Sequence, residues 1–178
     1  ACNGMHRFEE AVAACEMVAS LSPSSHQAYL NLGNALRQVE RYDAATAALE
    51  KALELKPDYP FAYNSLGNVQ SSQSMSDKAI ESFSKAIAMD PKYAEAHYNL
   101  GSEQLSKDLL DDALKSFRAT VNLNPDYGKV YRGMASITKL KLDDPVVEKM
   151  RSLNEKLGAA GRRFRWFHIS QPSGSPVI

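Results

Sequence analysis

Cysteine is scarce in this chain of 178 residues: Cys2 and Cys15 are the only two. That is too few for a disulfide framework. With no metal-ligand spacing around them, two thiols fit a reducing compartment, so the expected location is cytoplasmic. Cys15 is expected to be buried as a small apolar residue. Long apolar runs are also missing. None approaches the roughly 18 residues that a membrane-crossing helix needs, and no basic stretch followed by an apolar core marks a signal peptide. Catalytic signatures are absent too. No phosphate loop, zinc spacing or nucleophile elbow occurs, and His6, His26, His97 and His168 are scattered. The acidic pairs Glu9–Glu10, Asp111–Asp112 and Asp143–Asp144 read as helix starts, where carboxylates favour the dipole. Neither an enzyme nor a metal or cofactor is expected.

What is present is ordinary in bulk and unusual in order. Apolar residues make up 44% and charged residues 24%, as in folded soluble domains. The formal net charge is zero, but it is unevenly spread. From residue 128 onward 10 Lys+Arg stand against 4 Asp+Glu, leaving 11 against 17 before it. The C-terminal end would draw an acidic partner, and the part before it would repel polyanions, which argues against nucleic acid.

Sliding the sequence against itself by 34 residues brings like residues into register. Pro23, Pro57, Pro91 and Pro125 form one column, and Ala11, Ala45, Ala79 and Ala113 another. Gly33, Gly67 and Gly101 align, followed by Ala135, and Leu32, Leu66, Leu100 and Met134 stand just before them. Tyr29, Tyr63, His97 and Tyr131 make a further column, which marks His97 as a packing residue. Cys15, Leu49, Phe83 and Phe117 make the next. Between prolines, apolar residues recur at helical spacing in two blocks, Tyr29–Leu32–Leu36 and then Ala45–Leu49–Ala52. That pattern predicts two amphipathic helices joined by a short turn. Small residues such as Gly33 and Ala45 let the two backbones approach, and each proline ends the second helix and turns the chain into the next unit. One such hairpin cannot bury its apolar face alone, so neighbours must stack.

On these columns the chain resembles the tetratricopeptide repeat family over about residues 5–140. The aromatic–x–x–Leu–Gly opening, the later Ala, the aromatic and the closing Pro carry the resemblance. It implies an all-α fold, a right-handed superhelical solenoid of antiparallel helix hairpins. Complete repeats would span 26–59, 60–93 and 94–127, with a partial repeat over 1–25 and a degenerate repeat and cap over 128–157. Before residue 26 only a second helix is read, with Phe8, Ala11, Cys15 and Val18 as its packing stripe, so the chain is expected to begin mid-repeat. The family's turn glycine is replaced by Glu40, Ser74 and Asp108. If these turns need a left-handed residue, each replacement costs on the order of 1 kcal/mol. Asp144–Pro145 begins a capping helix over 144–157, and Gly158 stops it.

The resemblance also implies where a ligand would lie. In the family the first helices line a concave groove, and their outward side chains meet the ligand. Carried over, the groove would hold Gln27, Leu30, Asn31 and Asn34, then Phe61, Asn64, Ser65 and Asn68. Glu95, Tyr98, Asn99 and Ser102 follow, then Lys129, Arg132 and Ser136. An asparagine side chain both donates and accepts, so it can pair with a peptide backbone whatever its sequence. Asn31, Asn34, Asn68 and Asn99 resemble the asparagine ladder of the O-linked N-acetylglucosamine transferases. The carboxylate clamp of the co-chaperone members is matched at Asn68, Asn99 and Lys129, but Asn64 and Gly133 occupy its other two places, and Arg132 lies one residue away. A full clamp is therefore not expected, because its charge-assisted bonds are incomplete.

The predicted function is a protein-interaction scaffold that binds an extended peptide or partner protein. The alternative is the substrate-recruiting or regulatory part of a larger enzyme, glycosyltransferase- or sulfotransferase-like; Lys139–Pro145 faintly resembles the junction in bacterial sulfotransferases that carry these repeats. The basic, aromatic tail over 158–178, with Arg162, Arg163, Phe164, Arg165, Trp166 and Phe167, is expected to dock on protein, through a homodimer or in the chain's own groove.

Overall fold

The computed structural model describes residues 2–137 and Ser152, with side chains from Arg7 onward. Eight α-helices make up this part: α1 (Cys2–Leu21), α2 (His26–Gln38), α3 (Tyr42–Leu55), α4 (Pro60–Ser72), α5 (Ser76–Met89), α6 (Ala94–Ser106), α7 (Leu110–Leu123) and α8 (Gly128–Ile137). No strand occurs among the described residues. No helix there is long and apolar enough to cross a membrane. The predicted cap over 144–157 and the tail over 158–178 lie outside the described residues.

Helices pair as α2 with α3, α4 with α5 and α6 with α7, and each pair packs on the next through α3–α4, α5–α6 and α7–α8. The first helices also touch one another along the stack, α2 to α4 to α6 to α8, whereas the second helices α3, α5 and α7 do not. The solenoid therefore curves with its first helices inside. That curvature makes the inner wall on which a partner could lie.

Local chemistry explains the boundaries. Ser25 caps α2 by accepting from the Ala28 amide at 3.2 Å, and Pro60 occupies the first turn of α4. Between the two helices of each hairpin the chain turns through Glu40, Ser74 and Asp108, with φ of 60°, 59° and 57°. The left-handed turns are thus present, without the glycine that favours them. Each is closed by a bond from the following amide back into the first helix, Arg41 to Leu36, Met75 to Gln70 and Leu109 to Gln104, at 2.8–3.0 Å. Second helices end at Leu55, Met89 and Leu123, two residues before a proline.

The hairpin crossing differs in detail from the sequence expectation. Each first-helix glycine sits on a large side chain of the second helix. A Cβ on Gly33 would lie 2.6 Å from Leu49, and one on Gly67 or Gly101 would strike Phe83 or Phe117 at 2.6 and 2.7 Å. Glycine is needed here for close approach, while Ala45, Ala79 and Ala113 are fully buried alongside.

Two expectations fail on α1. Glu9 and Glu10 lie in mid-helix, where no dipole end favours them, and Glu9 pairs with Arg41 at 3.2 Å. The stripe Phe8, Ala11, Cys15 and Val18 is not core: Cys15 is half-buried and the others are exposed. Val12 and Ala19 are buried instead. The reason is that α1 packs on α2 alone among the described helices.

Candidate functional site

The structure sorts the candidate groove residues of the first helices into three groups. Asn31, Phe61, Lys129 and Arg132 are exposed, and Asn34, Asn68, Tyr98 and Asn99 are half-buried. Leu30, Asn64 and Ser65 are buried. This last group lies too deep to meet a ligand directly, and the next repeat covers the column of Leu30 and Asn64.

The covering residues form a column that the motif comparison passed over: Tyr59, Tyr93 and Tyr127, one at each repeat boundary, with Ser25 in the first place. The Tyr59 hydroxyl donates to Gln27 Oε1 at 2.5 Å, and Gln27 Nε2 donates to Asn31 Oδ1 at 3.0 Å. Tyr93 accepts from Asn64 Nδ2 at 3.1 Å. Tyr127 stacks at a tilt on Tyr98, with ring centroids 5.0 Å apart. Burial, seconded by the Glu95 carboxylate, holds the Tyr93 hydroxyl well above the ordinary tyrosine value and pushes Tyr127 up to about 12. Both phenols stay neutral in ordinary buffers. The 34-residue period alone would have revealed this column.

At the centre of the wall three asparagines interlock. Asn99 Nδ2 donates to Asn64 Oδ1 at 3.0 Å and to Asn68 Oδ1 at 3.2 Å. Counting valences, Asn99 Oδ1 and Asn68 Nδ2 remain uncommitted among the described residues. Reversing all three amides together would exchange their roles and leave the same pair, one acceptor and one donor. An extended peptide backbone presents the complementary pair.

Toward α8 the wall opens. A cavity of about 610 Å³ lies between α6 and α8, with Tyr98, Leu105 and Phe117 as its apolar side and Lys129, Arg132 and Ser136 along α8. Neither Lys129 nor Arg132 has an ion-pair partner among the described residues. The structure therefore gathers Asn64, Asn68 and Asn99 into one network and Tyr98, Lys129 and Arg132 around one cavity. Asn31 stands apart near Gln27, and Phe61 lies between the rings of Tyr59 and Tyr93. His97 is a packing residue: its Nε2 lies 3.0 Å from the Pro91 carbonyl, where Tyr131 in the same column donates to Pro125 at 2.7 Å. Among the described residues no group of His, Cys, Asp and Glu side chains could hold a metal ion.

Comparison with known proteins agrees with this architecture. The family model described as TPR repeat matches residues 33–74 and 76–107, and the one described as Tetratricopeptide repeat matches 94–127. The chain belongs to the tetratricopeptide repeat family. Among curated proteins none matches. Tetratricopeptide structures similar to it include crystalline MamA, 25% identical with a TM-score of 0.70 over 86% of this chain and 91% of that one. MamA from Desulfovibrio magneticus RS-1 is 21% identical, with a TM-score of 0.69 over 90% and 94%. YrrB, described as a TPR protein with an unusual peptide-binding site, is 21% identical, with a TM-score of 0.63 over 90% and 87%. These likenesses share the fold, and the repeats make the chain a scaffold for protein interaction.

Proposed function

We propose that the inner wall of α2, α4, α6 and α8 binds an extended peptide segment of a partner protein. The observation that carries this reading is the donor and acceptor left over on Asn68 and Asn99 after their mutual hydrogen bonds. That pair suits a backbone amide unit and is already held rigid, so little side-chain entropy is lost on binding. Lys129 and Arg132 then take an acidic side chain or carboxylate of the same peptide, whose apolar neighbour enters the cavity beside Tyr98 and Phe117. A peptide-binding neighbour of the same fold, YrrB, supports the reading. Asn64 serves from behind, fixing Asn99 and not touching the ligand.

Selection from a random-peptide phage library on the immobilised chain tests the proposal. Acidic peptides are expected, and Asn68→Ala should weaken them at least tenfold, about 1.4 kcal/mol. Asn68 is the cleaner choice, since its loss leaves Asn99 with its second acceptor. Selected peptides whose affinity ignores Asn68→Ala and Lys129→Ala would refute the groove.

A further inference from the structure

The three places of the asparagine network recur one repeat further along the wall with different residues. Tyr98 stands in the column of Asn64, Ser102 in that of Asn68 and Gly133 in that of Asn99. Where three amides interlock between α4 and α6, the equivalent place between α6 and α8 is the cavity of about 610 Å³. Gly133 is what leaves it open. A Cβ there would lie 2.6 Å from Phe117 Cζ, and one on Gly101 2.7 Å from Phe117 Cδ1, so the ring is wedged between two glycines. Its far edge reaches α8 in a column that carries Asn31, Ser65 and Asn99 in the earlier first helices.

The surroundings select the occupant. Tyr98 lies at a tilt to Phe117, with ring centroids 6.0 Å apart, and to Tyr127 at 5.0 Å. The apolar side is therefore built of rings, and a further ring pairs with these better than an aliphatic chain does. A guanidinium such as that of Arg132 also favours an aromatic face beside it. The two serine hydroxyls narrow the choice. Ser102 Oγ donates to the Tyr98 carbonyl at 3.0 Å and Ser136 Oγ to the Gly133 carbonyl at 2.7 Å. With their hydrogens committed, both offer only lone pairs, which suit a donor. An indole N–H or a phenolic O–H supplies one, and a phenylalanine does not. Among the described residues no acidic side chain lines the cavity, so Lys129 and Arg132 are left to a carboxylate from outside. The chain's own Trp166 suits the place poorly, since Arg163 and Arg165 beside it would meet these two cations.

We propose that this cavity selects a tryptophan or tyrosine of the partner segment, flanked by an acidic residue that Lys129 and Arg132 hold. The assignment rests on the inner wall as the binding site and adds the side-chain class that the wall reads. Gly133 sets the shape of the pocket and Ser102 its polarity.

A random-peptide phage library, selected on the parent chain and on Ser102→Leu, which fills the cavity, tests this. Parent-selected peptides should carry tryptophan or tyrosine beside aspartate or glutamate. Ser102→Leu should lose that aromatic enrichment at least tenfold while keeping the acidic one. In the best parent peptide, changing the aromatic to leucine should weaken binding at least tenfold on the parent chain and less than about twofold on Ser102→Leu. Ser136→Leu, at an exposed site, carries the same cycle if Ser102→Leu fails to fold. Peptides that depend on Asn68 and Lys129 but lack the aromatic, or whose aromatic matters equally on both chains, overturn the inference and leave the inner wall standing. Phenylalanine enriched equally with tryptophan and tyrosine overturns it too. Peptides that pass the cycle but ignore Asn68→Ala support the cavity and remove the asparagine contact. An empty selection overturns both. A tenfold gain in affinity on deleting 158–178 would seat the chain's own tail in the cavity and overturn the assignment to a partner.

Discussion

Helices α1 and α5 carry one pattern in two surroundings. Ala11, Cys15 and Val18 on α1 stand in the columns of Ala79, Phe83 and Ala86 on α5, yet Ala11 and Val18 are exposed and Cys15 half-buried, whereas the second set is fully enclosed. Nothing in α1's own residues forbids burial. What differs is the helix laid across α5, with Gly67 against the Phe83 ring. A repeat column therefore records what a position is built to meet, and the neighbour decides whether it meets it.

The strongest way to break this comparison is to truncate the two side chains. Phe83→Ala should cost about 3–5 kcal/mol, because it opens a cavity beneath a glycine that has no side chain to fill it. Cys15→Ala in the same column should cost less than about 0.5 kcal/mol. Urea denaturation of both variants checks this, and similar losses would show that α1 is covered after all.

A second pair sharpens the contrast on the inner wall. Asn31 and Asn99 occupy one column, but Asn31 is exposed and only accepts from Gln27, whereas Asn99 bridges Asn64 and Asn68. Asn99→Ala strands buried Asn64 and half-buried Asn68 without their donor and should cost about 1–3 kcal/mol. Asn31→Ala should lie within about 0.5 kcal/mol of the parent. Thermal melts of the two variants would separate them, and equal midpoints would mean the network contributes nothing.

A smaller effect comes with alkali. Tyr93 and Tyr127 have pKa values raised by burial, and the same column holds Ser25 at the α1–α2 junction. The folded state keeps these protons more tightly than the unfolded chain, whose tyrosines titrate near pH 10. Their contribution is therefore complete below about pH 10 and is lost as pH rises through the folded values. The melting temperature should fall from about pH 10 toward 12, and Tyr127→Phe should reduce the fall. An unchanged alkaline profile in that variant would contradict the assignment.

Much of this was legible in the residues, for a physical reason. Columns such as Pro57, Gly67 and Ala79 answer to local demands, a helix stop and a close crossing, and those demands repeat with the chain. The left-handed turns at Glu40, Ser74 and Asp108 were legible by position even though no glycine marks them. The candidate wall was less legible, because depth depends on the following repeat. Leu30, Asn64 and Ser65 read as groove residues and are buried, and no pattern within one helix reveals the Tyr93 hydroxyl arriving from 29 residues away. The pairing of Asn99 with two other asparagines likewise arises from first helices touching across repeats. The bare face of α1 escaped for the same cause: its stripe is a core stripe in every respect except its neighbour.

The most direct measurement follows the asparagine side-chain amides by nuclear magnetic resonance while a library-selected peptide is titrated in. The account predicts that the Asn68 and Asn99 NH2 signals move in step with saturation, together with backbone signals of α6 and α8 around Tyr98 and Arg132. Asn122, exposed on second helix α7, should stay still. Shifts confined to the outer helices α3, α5 and α7, with Asn68 and Asn99 unmoved at saturation, would contradict it.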